Sequence, residues 1–369
     1  MMRIEQLDLY LVEMPLISPW RTAYGEDASS FSILVRAIGE GREGWSESAP
    51  LGAPTYLPES AGAAFYHASE IFASHVVGRD YATARDLNSR LAVFKGNGFA
   101  KAAVEMSWWT LECALRGVPL HTLLGGPLRE VPVGAAFGIE DSIDALLRKI
   151  GDARAAGHPC VKLKVAHGWD LEIVRAATST FPGMQFHIDC NAGYTLDDLP
   201  FFKAIDGLGL AFIEQPLHYA DVIDHAELAR QIRTPVCLDE SIVSVKSAEQ
   251  AIKVGACSVI NIKPARVGGL ASAVAIHDMA RNAGIACWVG AMFEGGIGTA
   301  IGVELATLPG FTHAADLTPP SVFLAADVAD RPVELTPRMT FLPTRGALPA
   351  PDPAALARLT RASKTVRPP

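Results

Sequence analysis

Beyond residue 130 the chain alternates short apolar runs with amphipathic stretches. Runs near 133–139, 161–165, 185–190, 210–215, 235–240, 258–263 and 286–290 read as strands, and stretches such as DVIDHAELARQI and ASAVAIHDMARNAG between them read as helices. A strand–helix unit recurring about every 25 residues predicts a (β/α) barrel of the TIM type. The last strand is indistinct and is expected near 313–317. Before residue 130 the order differs. Residues 3–13 and 31–38 predict antiparallel strands, GREGWSES starts another, and from 58 to about 124 the spacing is helical, with AKAAVEMSWWTLECALRG stopping at Gly117. Strands followed by helices describe an α+β unit. The expected organisation is therefore an α+β capping domain over 1–125, a catalytic barrel over 126–317, and a Pro-rich segment over 318–369 that returns to the capping domain.

Charged residues end five consecutive predicted strands. Lys164 closes VKLK, Asp189 closes QFHID, Glu214 closes LAFIE, Asp239 closes PVCLD and Lys263 closes VINIK, at separations of 25, 25, 25 and 24 residues. In such a barrel the carboxyl ends of the strands form the face where chemistry is done. A lone acid at a strand end is usually a helix cap or a surface ion pair. Three at equal spacing with no basic neighbour among them would repel one another, and they suit a hard divalent cation such as Mg²⁺. Period-two parity puts Lys162 on the face of Lys164, His187 on that of Asp189 and Asn261 on that of Lys263, one layer below the mouth. Lys164 is the expected base and Lys162 an assisting donor, while Lys263 addresses the opposite face of a substrate. A lysine beside a cation should have its pKa pushed down into the range a base needs. Asn191 either supports the metal shell or shapes the turn. Arg266 either tunes Lys263 or lies on the surface at a helix start, and Gly268-Gly269 could open an anion-binding helix N-terminus. A Schiff-base aldolase also uses a barrel lysine, but it needs no carboxylate trio.

Composition narrows the partners. With 369 residues, 49% of them hydrophobic, the chain can bury a large core, and a net charge of −8 opposes nucleic-acid or anionic-membrane partners. The six cysteines form no CxxC pair and read as reduced core residues of a cytoplasmic protein. No apolar run reaches the roughly 18 residues of a membrane-spanning helix, and the N-terminus reads as a strand, not a signal peptide.

Taken together, VKLK, IDCN, IEQP, LDES and NIKPARVGG resemble the enolase superfamily, and within it the muconate-lactonizing branch, which has lysines on both sides of the site. GWD at 168–170, GYTL at 193–196 and DHAELARQIRTPVCLDES are most similar to the o-succinylbenzoate synthase/N-acylamino acid racemase group. MPL, WRTAYG, WSES, FKGN and AKAAVEM resemble that family's capping domain and substrate-closing loop. The resemblance implies a modified enolase-type barrel with Mg²⁺, or Mn²⁺ in its place, on Asp189, Glu214 and Asp239. It implies Lys164 and Lys263 as the acid/base pair, assisted by Lys162, with Arg266 beside Lys263. The implied reaction is abstraction of a proton α to a carboxylate through an enediolate. Its outcome is dehydration to o-succinylbenzoate or racemisation of an N-acyl or N-succinyl amino acid; the alternatives are a muconate-type cycloisomerase and a dipeptide epimerase. A small-molecule carboxylate and a homo-oligomer are expected. Residues 18–25, carrying Trp20, Arg21 and Tyr24, are expected to close over the substrate, with Asn191, Met292, Phe293 and Glu294 completing the binding site. Three places depart from the group's pattern: Gly98-Phe99 for Arg-Met, Ala291 and Phe293 within Gly-Gly-Met-[Ile/Leu]-Glu, and Ala315-Asp316-Leu317-Thr318 for Gly-Asp-Thr-Ser. The last also lacks the second Asp of dipeptide epimerases.

Overall fold

The computed structural model describes residues 1–22 and 25–368, with the side chains of Arg21 and Thr22 outside the description. Four antiparallel strands form the first sheet, in the order Thr360–Val366, Gln6–Thr22, Gly25–Gly39, Arg42–Ser48. Leu7 and Leu9 are buried on one of its faces, and Val12 and Met14, of opposite parity, are buried on the other, among the residues of the barrel core. The first hairpin is longer than its hydrophobic pattern. Pairing runs on past residue 13 and, after a register shift between Pro15 and Trp20, reaches Trp20 opposite Asp27. The polar run EDASS hides this extension because strand pairing uses backbone groups that every residue carries. Of the segment expected to close over the substrate, Trp20 to Thr22 and Gly25 therefore lie on paired strands, and residues 23 and 24 lie outside the described residues.

Helix Gly98–Arg116 lies across this sheet and ends at Gly117, whose φ of 65° suits glycine, as the sequence predicts. Ser46 and Ser48 donate to the carbonyls of Ala103 and Phe99 at 2.6 and 2.9 Å. Gly44 sits so close to the backbone of Leu111 that a Cβ would collide.

Seven parallel strands follow in chain order around the barrel: Ala135–Phe137, Cys160–Lys164, Gln185–Asp189, Ile213–Glu214, Val236–Leu238, Val259–Ile262 and Ala286–Val289. The eighth place is taken by isolated bridges. Phe311 and Asp316 meet Cys287 and Gly290 on one edge, and Ala315 meets Val133 on the other. So sparse a ladder needs no regular alternation, which is why the pattern there is indistinct. Inside the barrel, His187 stacks on Phe212 at 4.3 Å and meets the edge of Trp288 at 5.2 Å, and Trp288 donates to Cys237 Sγ at 3.3 Å. All six cysteines are free, five of them buried. Among the described residues no helix is long and apolar enough to cross a membrane.

Two glutamates from the first 125 residues fasten that region to the barrel. Glu105 accepts the N–H groups of Leu270 and Ala271 at 2.7 and 2.8 Å, at the start of helix Leu270–Asn282. Glu47 accepts those of Gly295 and Gly298 at 2.6 and 2.7 Å, at the start of helix Gly296–Leu305. Helix N-termini attract negative charge. The group at Gly268-Gly269 is thus the chain's own Glu105 carboxyl, and Gly269, at φ 115°, leaves no room for a side chain beneath it. Burial pushes both carboxyls up to about 7, against the pull of the N–H donors.

Candidate active site

Strand register carries the 25-residue spacing into space. Lys164 lies opposite Asp189, and Asp189 opposite Glu214. Asp239 and Lys263 directly follow Val236–Leu238 and Val259–Ile262. All three carboxylates are at most 1% exposed. Lys162 Nζ lies 3.0 Å from Asp189 Oδ2, 3.0 Å from Glu214 Oε2 and 2.7 Å from Asp316 Oδ2, and 5.4 Å from the centre of the Trp288 ring. Lys164 Nζ donates to Asp189 Oδ2 at 2.7 Å and to Asn191 Oδ1 at 2.6 Å. Lys263 Nζ donates to Asp239 Oδ2 at 2.9 Å and to Tyr56 Oη at 3.1 Å. Arg266 pairs with Asp239 Oδ1 and donates to Tyr56 Oη at 2.7 Å and to the carbonyls of Asn261 and Ile242 at 2.8 and 2.9 Å. Asn261 donates to Glu214 Oε1 at 2.7 Å, which agrees with its inward parity.

One expectation needs correction. The trio reads as free of basic neighbours along the chain, yet in space Lys162, Lys164, Lys263 and Arg266 all bear on it, because strands on both sides point their charges at the same centre. A lowered lysine pKa is expected beside a cation; the protein's own charges act the other way on Lys162 and Lys263. Burial pulls Lys263 down, but Asp239 outweighs it and holds the ammonium above its ordinary value. Lys162 is likewise held well above, with Asp189, Asp316 and Glu214 overcoming burial. The protein's own groups therefore favour ammonium at both places.

The carboxylates differ among themselves. Burial opposes the charge on all three. In Asp189 it is overcome by Lys162 and Lys164, and in Asp239 by Arg266 and Lys263, so both stay well below the usual range. Glu214, between them, is pushed up to about 8 by burial and then by the charge of Asp189. Among the described residues its Oε2 takes no directed hydrogen bond, although Lys162 is within ion-pair range. Three hard oxygen donors with an unsatisfied member at the centre fit a divalent cation of the Mg²⁺ type. Among the described residues no three acidic, His or Cys side chains already converge on one point: Asp189 leans on Lys162 and Lys164, Asp239 on Lys263 and Arg266, and Glu214 shares Lys162.

A cavity of about 230 Å³ opens above these groups. Lys162, Lys164, Lys263, Asn191 and Asp316 line its charged end, and Leu16, Trp20, Met292, Phe293, Val322 and Phe323 its apolar walls. Trp20 and Phe323 meet Phe293 edge-on, with ring centres 5.7 and 5.9 Å away. Glu294 also lines the cavity. Its Oε2 accepts from the Met292 N–H at 2.8 Å, and burial pushes its carboxyl up to about 7. Tyr24 and the side chain of Arg21 fall outside the described residues. Arg266 is 1% exposed behind Lys263, which removes the surface alternative. Gly98 lies against the carbonyl of Arg266 and is not part of the cavity lining, so that departure from the group's pattern does not shape the wall.

Three residues escape the sequence reading of the charged centre. Asp316 holds Lys162, and its position on the irregular eighth segment gave no periodic clue. Glu240 accepts from Asn191 Nδ2 at 3.0 Å; its adjacency to Asp239 in LDES was the available signal. Tyr56 donates to Asp239 Oδ2 at 2.9 Å across 183 residues of chain, and nothing local marks it.

Residues 6–125 match the N-terminal domain of the mandelate racemase/muconate lactonizing enzyme family, and residues 145–346 match the enolase C-terminal domain-like family. The chain belongs to the enolase superfamily. It is 39% identical over 333 residues to the N-succinylamino acid racemase of Thermus thermophilus, covering 90% of each chain. It is 36% identical over 329 residues to the o-succinylbenzoate synthase of Bacillus subtilis, covering 89% of this chain and 88% of that protein. The crystal structure of an enolase-superfamily member from Listeria innocua superposes with a TM-score of 0.95 at 31% identity, covering all of both chains. These relatives are named enzymes, and this superfamily member is an enzyme too.

Proposed function

We propose that this enzyme removes the proton α to a carboxylate, acting as an N-succinyl- or N-acylamino acid racemase, as an o-succinylbenzoate synthase, or as both in one site. The observation that carries the reading is that Lys164 and Lys263 reach one cavity from separate strands, with Asp189, Glu214 and Asp239 between them. The similarity to a named racemase and to a named synthase supports both outcomes, which share their first half-reaction.

A proton α to a carboxylate is very weakly acidic, because its removal leaves two negative charges on one small group. Asp189, Glu214 and Asp239 are the residues that would hold Mg²⁺, or Mn²⁺ in its place. A divalent ion bound there would stabilise the charge gathering on the substrate carboxylate and weaken the ligands' hold on the lysine protons. Lys162 faces the same charge and would steady it as an ammonium. Lys164 as a neutral amine takes the proton from one face. If Lys263 as an ammonium returns a proton to the other face, the configuration inverts; if a β-leaving group departs first, an alkene forms. Trp20, Met292, Phe293 and Phe323 would enclose the apolar part of the substrate. A small carboxylate in a cytoplasmic homo-oligomer completes the reading.

Solvent-deuterium exchange tests it directly. With Mg²⁺ present, N-succinyl and N-acyl amino acids should incorporate deuterium at the α carbon, detected by NMR, and chelation should stop the exchange. A parent enzyme that exchanges none of them, nor turns over the precursor of o-succinylbenzoate, would refute the proposal.

A further inference from the structure

Asn191 is the joint between Lys164 and a carboxylate outside the proposed metal trio. Its Oδ1 accepts from Lys164 Nζ at 2.6 Å, its Nδ2 donates to Glu240 Oε1 at 3.0 Å, and its backbone N–H donates to Asp189 Oδ1 at 3.0 Å. Asn191 and the following Ala192 hold φ values of 44° and 60°. Non-glycine residues keep such a left-handed pair only where the surroundings over-determine it. Glu240 is 2% exposed, and its Oε2 has no hydrogen-bond partner among the described residues. Burying a carboxylate there, next in sequence to Asp239, is unfavourable, and the directed side-chain bond it makes is to Asn191.

The chemistry of that bond is one-sided. An amide can turn either its oxygen or its NH₂ toward a lysine, and only the oxygen can accept the ammonium proton. Glu240 Oε1, on the far side, accepts the amide N–H. It draws the NH₂ to itself and leaves the oxygen facing Lys164. We infer that Glu240 is a positioning residue for Lys164, acting through Asn191, whose amide it orients. The inference rests on the proposed role of Lys164 as the base. Lys263 meets a tyrosine hydroxyl and Asp239 instead, so the device serves one face of the substrate.

The test uses the full-length Mg²⁺-loaded protein and its Glu240→Leu and Glu240→Gln variants. The enantiomer served by Lys164 is defined as the one whose α-proton exchange Lys164→Ala abolishes. Glu240→Leu should slow that exchange about tenfold or more, the scale of loss expected from a displaced reacting group, and leave the other enantiomer within about twofold. Glu240→Gln, whose Oε1 can accept the same N–H, should stay within about threefold on both faces. Equal losses on both faces, or a Gln variant as poor as Leu, would overturn the inference. So would a marked loss of Mg²⁺ or Mn²⁺ affinity by calorimetry, which would make Glu240 a ligand. A crystal structure of Glu240→Leu decides the positioning independently of turnover. Asn191 Oδ1 withdrawn from Lys164 supports it and an unchanged contact overturns it, whereas a parent protein without any exchange counts against the proposed function alone.

Discussion

On one flank of the cavity Lys164 leans on Asp189 and Asn191, both from the neighbouring strand and the turn after it. On the other flank Lys263 meets Asp239 and Tyr56, with Arg266 behind, and Tyr56 arrives from the region before the barrel. The first flank is assembled from adjacent segments of chain. The second is completed by Tyr56 only when two distant regions dock. The Lys263 ammonium also shares Asp239 with a guanidinium that opposes its charge, while Lys164 shares Asp189 with the deeper Lys162. Disturbance of the docked region should therefore reach Lys263 before it reaches Lys164.

Changes at the centre should erase this asymmetry. Asp189→Asn, Glu214→Gln or Asp239→Asn each remove a ligand charge, and turnover should fall on the order of 10³-fold on both faces, with the circular dichroism spectrum unchanged. Full activity after exhaustive chelation would refute the metal assignment. Next in size, the lysine variants should split the flanks. If the reaction is racemisation, Lys164→Ala and Lys263→Ala should each retain exchange of one enantiomer, and not the same one. If it is dehydration, Lys164→Ala should stop abstraction and Lys263→Ala should only slow it.

Tyr56→Phe removes the hydroxyl shared by Lys263, Arg266 and Asp239. Losing one such charge-assisted bond, worth roughly 1.5–3 kcal/mol, should slow exchange on the Lys263 face about tenfold or more and leave the Lys164 face nearly unchanged. A symmetric loss would show that the flanks are coupled. Trp20→Ala acts on neither lysine. It should lower kcat/KM for the best substrate by about three- to tenfold and leave the exchange chemistry qualitatively intact. If every substrate behaves as in the parent, the hairpin end does not select.

The smallest effect concerns the docking itself. The folded Glu105 carboxyl sits near 7, raised by burial above its ordinary 4.5, so the folded state holds that proton more tightly than the unfolded chain does. Its contribution to stability is therefore greatest below about pH 4.5 and declines as pH rises through about 7. Glu105→Gln should flatten that part of the Tm profile between pH 5 and 8 while lowering Tm, by roughly 1 kcal/mol of stability, through the loss of one acceptor. An unchanged slope would place the titration elsewhere.

The proposed centre was legible where a period governs it. A 25-residue repeat brings Asp189, Glu214 and Asp239 to equivalent strand ends, and two-residue alternation turns Lys162 and Asn261 inward beside them, because parallel pairing and pleat act on the chain locally. The stop of helix Gly98–Arg116 at Gly117 is equally local. The eighth barrel segment and the polar end of the first hairpin were faint because sparse bridges and backbone pairing set their course, and backbone bonds leave no mark on side-chain pattern.

Other features had no local signature at all. Arg266 reads as well on a surface as beneath Lys263, Gly268-Gly269 does not announce Glu105 as its partner, and Tyr56 lies 183 residues from the carboxylate it meets. The same holds for the protonation of the lysines, which depends on how many carboxylates crowd each ammonium once water is excluded. Periodicity tells each residue which way to face. What it faces depends on how separate pieces of chain dock, and that is decided by packing and charge across distances the linear order does not record.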